Sequence, residues 1–279
     1  MIQARINGHN EYQFNGELIL DFSIDVLHRV TEAVEKSMDG AQTYQVSVNA
    51  VSECSLAAGC LPKGLPWQQW RQLDALARHP AVFVRRQRIY SQNAPFYSCY
   101  IVKSGAVKTV YINAQGQERV LGLYLPGDLF GLEGVGDGSH TCSAQALERS
   151  LICRINFADL EQHMARMPKF QRLLLQLMSD QLNVAHGLIC SLSQSTAEER
   201  VVRFILELSE RYRQRKLSGT EFRLAMTKTD AANYLGLAVE TLSRVLGRLR
   251  NRGLIRIQGR QLQILDEPSL NAIMERTVH

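Results

Sequence analysis

Between Met226 and Arg260 the chain reads MTKTDAANYLGLAVETLSRVLGRLRNRGLIRIQGR, a stretch that specifies two helices, a tight turn and a hairpin. Thr227, with Asp230 three residues on, makes a capping box for a short helix from Asp230 to Leu235. Gly236 supplies the positive φ that a tight turn needs. A second helix is predicted from about Val239 to Arg252, closed by Gly253. Leu242, Val245, Leu246 and Leu249 share one of its faces and must pack inward. Glu240, Ser243, Arg244 and Gly247 share the other, where they can meet base edges in a major groove. Six arginines (Arg244, Arg248, Arg250, Arg252, Arg256, Arg260) against one acid, Glu240, between Ala238 and Arg260 suit phosphate contacts. Leu254 to Ile257 and Gln261 to Leu265 read as a hairpin around Gly259, a wing beside the helix pair. An ordinary surface helix with a solvated charged face would leave the coincidence of helices, turn and wing unaccounted for.

This stretch resembles the winged helix-turn-helix of the Crp/Fnr transcriptional regulators, in their FNR-like branch, through L-G-L-x-V-E-T-x-S-R at Leu235 to Arg244. The resemblance implies DNA contacts from Val239, Glu240, Thr241, Ser243, Arg244, Gly247 and Arg248. Glu240, Ser243 and Arg244 would read a TTGAT half-site, with Arg244 on the guanine. One departure is Ala238, where the family usually has a threonine. Alanine cannot cap the helix, which costs about 1 kcal/mol and predicts weaker rather than altered binding.

At 279 residues the chain has room for two domains plus connections, and its net charge of +5 permits an anionic partner without demanding one. It has no run of eighteen apolar residues and an N-terminus, MIQARINGHNEY, without an apolar signal region, so a cytosolic protein with no membrane partner is expected. Its six cysteines are then expected as thiols or metal ligands rather than disulfides.

Residues 1–50 form an extension whose role the sequence does not disclose. Tyr12, Phe14, Leu18, Leu20 and Phe22 alternate about Asn15-Gly16, a hairpin signal. Leu27, Val30 and Val34 suggest an amphipathic helix, and Tyr44, Val46 and Val48 another strand. A loop-like segment, 51–66, carries Cys54 and Cys60. Two cysteines on a loop suit a metal but are weak evidence alone.

The resemblance sharpens this. In the FNR-like branch the region holds C-x2-C-x5-C, three ligands of an oxygen-labile [4Fe-4S] cluster, with a fourth from the β domain. Cys54, Cys60 and Cys153 match the second, third and fourth positions, while the first is Val51, which cannot ligate iron. Three readings follow. The cluster persists with a non-standard ligand (Cys99, Cys142, Glu53 or an added thiol), it is lost, or the thiols sense redox state directly. Cys190 is expected as a buried small hydrophobe.

From about Ala81 to Asn156 the runs VFVRRQRIY, FYSCYIVKSG, AVKTVYIN, ERVLGLYL and SAQALERSLICRIN read as strands of a closed roll, assigned to residues 67–164. Gly105, Pro126-Gly127-Asp128 and SAQAL resemble the β-roll of cyclic-nucleotide-binding domains. In cAMP binders an arginine precedes Ser-Ala and a glutamate holds the ribose. Here Cys142 and Leu132 stand at those positions, with Glu133 displaced by one, so cAMP is not the expected ligand.

Pro168 opens a long helix, assigned to 165–195, in which Leu175, Met178, Leu182, Ala185, Ile189 and Leu192 recur at coiled-coil spacing. Leu173, Leu174, Leu177 and Leu188 make a second apolar face for the roll. The narrow seam predicts a homodimer, whose two-fold axis would match a palindrome with half-sites about 34–36 Å apart. Ala185 puts no charge against its twin, which favours a dimer that forms without a cluster. Thr196-Ala197-Glu198-Glu199-Arg200 caps a further helix, packed through Val201, Phe204, Ile205 and Leu208, leading into the DNA-binding domain at 196–279.

The expected fold is therefore α+β: a cyclic-nucleotide-binding-type β-roll, a long dimerisation helix and a C-terminal winged helix-turn-helix. No HExxH, G-x-S-x-G, P-loop or Rossmann motif argues for an enzyme. The expected function is a homodimeric regulator on double-stranded DNA that responds to oxygen or redox state. The Gly116 tip and the Ser104 turn resemble exposed RNA polymerase-contact loops of relatives, which implies polymerase as a partner. The competing readings are a haem or nitric-oxide sensor or constitutive DNA binder of the same superfamily, and a nucleotide-binding module without a DNA role. Soret absorbance would mark haem, and failure of specific DNA binding would mark the module.

Overall fold

The computed structural model describes residues 80–275, together with a short ribbon near the N-terminus that pairs β1 (Ile6–Asn7) with β2 (Glu11–Tyr12). In that ribbon Tyr12 pairs with Ile6, upstream, while the hairpin expected about Asn15-Gly16 lies outside the described residues. The other expectations for residues 1–50, and Cys54 and Cys60, lie outside the described residues.

Two four-stranded antiparallel sheets form the roll. One runs in the order β3 (Pro80–Phe83), β10 (Ser150–Asn156), β5 (Ser98–Ser104), β8 (Leu129–Phe130). The other runs β4 (Arg88–Tyr90), β9 (Ser143–Ala146), β6 (Val107–Ile112), β7 (Glu118–Tyr124). Two runs that read as single strands are broken. Arg86, at φ 70, interrupts 82–90, and a turn at 147–149 separates β9 from β10. Each break moves the chain from one sheet to the other.

Alternation along β5 and β10 decides what each face meets. Val102 and Ile152 point into the roll with Tyr90, Phe130, Cys142 and Ala144. Cys99, Ile101, Cys153 and Ile155 point outward, against α1 (Phe157–Arg166) and α2 (Pro168–Gln194). Helix α1 escaped the pattern reading, although Asn156 caps it by accepting from the Ala158 N–H. Along α2, Phe170, Leu173 and Leu174 are buried on the roll. Leu175, Leu182, Ala185 and Ile189 are exposed, Met178 and Leu192 half-buried. Cys190 is also exposed, contrary to expectation, because it follows Ile189 on the side of α2 that the roll does not cover.

Helix α3 (Ala197–Gln214) begins with a complete Thr196/Glu199 capping box and buries Val201, Phe204, Ile205 and Leu208. The remainder is β11 (Glu221–Arg223), α4 (Lys228–Tyr234), α5 (Val239–Asn251), β12 (Ile255–Gln258), β13 (Gln261–Ile264) and α6 (Glu267–Glu275). The wing has a third strand, β11, in the order β11-β13-β12. A single apolar cluster joins the second sheet of the roll (Val110, Val120, Leu123, Leu125) to this head (Val201, Ala232, Val245, Leu249, Leu262).

Candidate nucleic-acid interface

The helix pair is built by local chemistry. Thr227 Oγ1 accepts from the Asp230 N–H at 3.1 Å, and Asp230 returns a bond to the Thr227 N–H at 3.3 Å. Gly236, at φ +64, makes the turn. A Cβ there would come within 2.8 Å of Leu192 at the end of α2, so the turn and the long helix touch. Ala238 stands at the N-cap of α5 and provides no side-chain bond, as its composition dictates.

Helix α5 buries Leu242, Val245 and Leu249 and leaves Leu246 half-covered. Glu240, Ser243, Arg244 and Arg248 are exposed, while Val239, Thr241 and Gly247 are half-buried. Nothing lies within 4 Å of where a Gly247 Cβ would be, so the backbone there is open to close approach. Thr241, Arg244, Gly247, Arg248 and Asn251 line one shallow hollow of about 380 Å³. Asn251 was not singled out from sequence, although its position four residues after Gly247 puts it on the same face.

The arginines divide into two groups. Arg252 donates to Glu198 at 2.6 Å, Arg256 to Gln263 at 3.1 Å and Arg260 to the Ala225 carbonyl at 3.4 Å. Arg248 lies 3.9 Å from Glu198. Arg244 and Arg250 are exposed and make no such bond among the described residues. An exposed guanidinium with no protein partner keeps its fork of donors for a ligand.

The roll interior is filled with side chains. Tyr90 stacks on His140 at 3.8 Å and on Tyr100 at 5.4 Å, and Phe130 packs against Tyr100 and Tyr124. Glu133 turns inward to His140 Nδ1 at 3.0 Å and receives the Cys142 thiol at 3.6 Å. Burial, then the neighbouring Glu133, pushes the Cys142 thiol up to about 12. Burial likewise drives the Tyr90 and Tyr124 hydroxyls far above their ordinary value. Beside Cys142 this arrangement sets the inward carboxylate of Glu133, which opposes an anion there.

Thiols are suitable donors for an iron–sulfur cluster. Cys153 is 1% exposed, on the outward face of β10. Cys99 shares that face, with the pairs Cys153–Ile101 and Ile155–Cys99 setting the two cysteines diagonally across the ladder. Cys142 faces the roll interior and so cannot share a centre with Cys153. Burial pushes the Cys99 thiol up to about 12. Among the described residues no group of three His, Cys, Asp or Glu side chains is placed to hold a metal. The described residues thus offer two thiols on one face, short of the four donors such a cluster takes.

Two family models match the chain: a cyclic nucleotide-binding domain over residues 81–167 and a Crp-like helix-turn-helix domain over 199–273. The chain is 39% identical over 221 residues to the transcriptional activator protein anr of Pseudomonas aeruginosa, covering 79% of this chain and 91% of that protein. It is 36% identical over 225 residues to the fumarate and nitrate reduction regulatory protein of Escherichia coli, covering 81% and 90%. Among solved structures, FixK2 from Bradyrhizobium japonicum superposes with a TM-score of 0.65 at 28% identity, covering 70% of this chain and 96% of that one. With its roll, its long helix and its winged head, the chain belongs to the Crp/Fnr family of helix-turn-helix transcription regulators, in the FNR-like branch.

Proposed function

We propose that the protein is a homodimeric regulator that binds a palindrome of TTGAT half-sites and responds to oxygen or redox state. The observation that carries the DNA reading is the open polar face of α5, where Arg244 has no partner among the described residues. Glu240, Ser243 and Arg244 read base edges, with Arg244 donating both arms of its fork to the guanine. Val239, Thr241, Gly247 and Arg248 bring the backbone of α5 close to the groove, and Arg250 meets phosphate.

Leu175, Met178, Leu182, Ala185, Ile189 and Leu192 form the dimer seam. Leu175, Leu182 and Ile189 are about 60% exposed, a cost that a second copy of α2 removes. The uncharged Ala185 lets this dimer form without a cluster. RNA polymerase is the expected partner once the dimer is on DNA.

Cys54, Cys60 and Cys153 are the proposed cluster ligands, with one donor of a non-standard kind. A bound cluster would supply the oxygen lability of the signal. The missing first ligand, Val51, favours a second reading as a thiol-responsive or constitutive DNA binder. Iron and acid-labile sulfide after anaerobic purification separate the two: near-stoichiometric values that vanish in air support the cluster, and their absence supports the second reading.

For the DNA reading, Arg244→Ala should weaken binding to the palindrome by about 1–3 kcal/mol and relax selection at the guanine. Equal weakening on every sequence would overturn the base-reading role. Sedimentation of the metal-free protein tests the seam, because a monomer at micromolar concentration would overturn it.

A further inference from the structure

The link between α2 and α3 is two residues long, Ser195 and Thr196. Such a link alone would let the head pivot on the long helix. Further attachments to the roll prevent this, and one of them lies between α4 and the β6–β7 pair. Lys108 is 7% exposed, the second residue of β6, and its Nζ donates to Asp230 Oδ1 at 2.6 Å. Three residues further along α4, and so on the same face, Asn233 reaches β7. Its amide nitrogen donates to the Glu118 carbonyl at 2.7 Å, and its carbonyl accepts from the Val120 N–H at 2.7 Å.

β7 is the edge strand of its sheet, so Asn233 supplies the donor and acceptor that a further strand would have brought. The ladder helps it do so. Pairing with β6 steps from Gly122 to Val120, leaving Leu121 over, and this irregularity adjoins the peptide that Asn233 engages. Both contacts are directional, whereas the apolar core around them sets no angle by itself.

We propose that Lys108 and Asn233 are positioning residues that fix the angle of the recognition helix and thereby the half-site spacing the dimer accepts. Helix α5 follows α4 through a turn of four residues and shares its core through Ala231, Ala232, Leu242 and Val245. The roll in turn packs on α2, which carries the dimer seam. A rigid path therefore runs from the two-fold axis through α2, roll and α4 to α5. The docked head leaves the DNA face of α5 open, so docking presents that face rather than hiding it. Adding or removing one base pair between half-sites shifts them by about 3.4 Å and turns them by roughly 35°. A rigid dimer resists that change and a loosely hinged one follows it. The proposal rests on the homodimeric reading of the seam.

The test uses the full chain and palindromes of two TTGAT half-sites whose spacer is optimal, one base pair shorter or one longer. Binding is read by fluorescence anisotropy. The wild type should lose about tenfold or more on either altered spacer. Lys108→Met and Asn233→Ala should each lose less than about threefold, while matching the wild type on a lone half-site. Lys108→Arg, which keeps the charge and a donor, should restore the wild-type penalty. Variants that keep the full spacing penalty would overturn the proposal. So would variants that weaken equally on every spacer and on the lone half-site. A wild type that sediments as a monomer would remove the homodimeric reading, and the proposal with it; a dimer whose variants discriminate as it does would remove the proposal alone.

Discussion

On the face that carries Cys99 and Cys153, the roll packs against α1 and α2 almost wholly through apolar side chains. On the face that carries Lys108 and Val120, an apolar centre is rimmed with directed bonds to the head. Asp128, in the Pro126-Gly127-Asp128 turn, takes Arg211 on one oxygen and Arg215, at 2.6 Å, on the other. Arg215 also donates to the Pro126 carbonyl at 2.7 Å, and Glu148 pairs with Arg223. The long helix is thus held mainly by shape, with a directed bond from Gln181 to the Leu129 carbonyl at 2.7 Å, and the head by shape plus several such bonds. The face that carries Cys153 and the face that docks the helix-turn-helix beyond Lys108 are opposite outer faces of one closed roll. Any coupling between them passes through packed strands or along α2, which touches both.

Five substitutions, one of them followed with pH, separate these contributions. The largest effect is expected on the helix side. Leu173→Ala, beneath α2, should lower the unfolding free energy by about 2–5 kcal/mol, read by chemical denaturation. Its neighbour Leu175→Ala should change the stability of the single chain by no more than about 0.5 kcal/mol, and loosen the dimer instead. On the head side, Asp128→Ala strips the mostly buried Arg215 of its carboxylate and should cost about 1–3 kcal/mol, measured in the same way. An equal loss for Leu175→Ala and Leu173→Ala would dissolve the distinction between the faces of α2.

Smaller effects refine it. Ala238→Thr restores an N-cap and should add about 1 kcal/mol of stability, with a parallel gain in affinity for DNA. The least effect concerns acid. Burial pulls the Asp230 carboxyl upward, but the bonds from Lys108 and Thr227 outweigh it and hold the group below its ordinary value. A depressed carboxylate contributes stability that is fully present above its unfolded pKa, about 3.9, and is lost as the pH falls through the folded value. The stability difference between wild type and Lys108→Met should accordingly stay constant above about pH 5 and shrink below pH 4.

What the sequence makes legible here is what neighbours decide. Thr227 and Asp230 are three residues apart, Gly236 and Gly253 need only their own φ, and the alternation of β5 to β7 needs only its own run. The seam and the roll-facing stripe of α2 separate by helical spacing alone. What stays hidden is set at long range or in very short pieces. Asp230 announces a cap but not its bond to Lys108, 122 residues away. Strand β11 is three residues, too few for a pattern to form. The break at Arg86 depends on a left-handed conformation that an arginine does not advertise. The open face of α5 could be drawn from its periodicity, but the capture of Arg252 by Glu198 could not, because Glu198 belongs to another helix.

The core shared between roll and head also sets an order of events as the chain is made. The segment that carries Val110, Val120, Leu123 and Leu125 leaves the ribosome well before Val201, Val245 and Leu262, which cover it. At roughly 5–20 residues per second, the new roll keeps an oily flank bare for several seconds. A chain released before α3 is complete would carry that flank permanently, so fragments ending near Ser195 should be sticky and short-lived. Separate expression of the sensor half would report on this flank more than on the sensor.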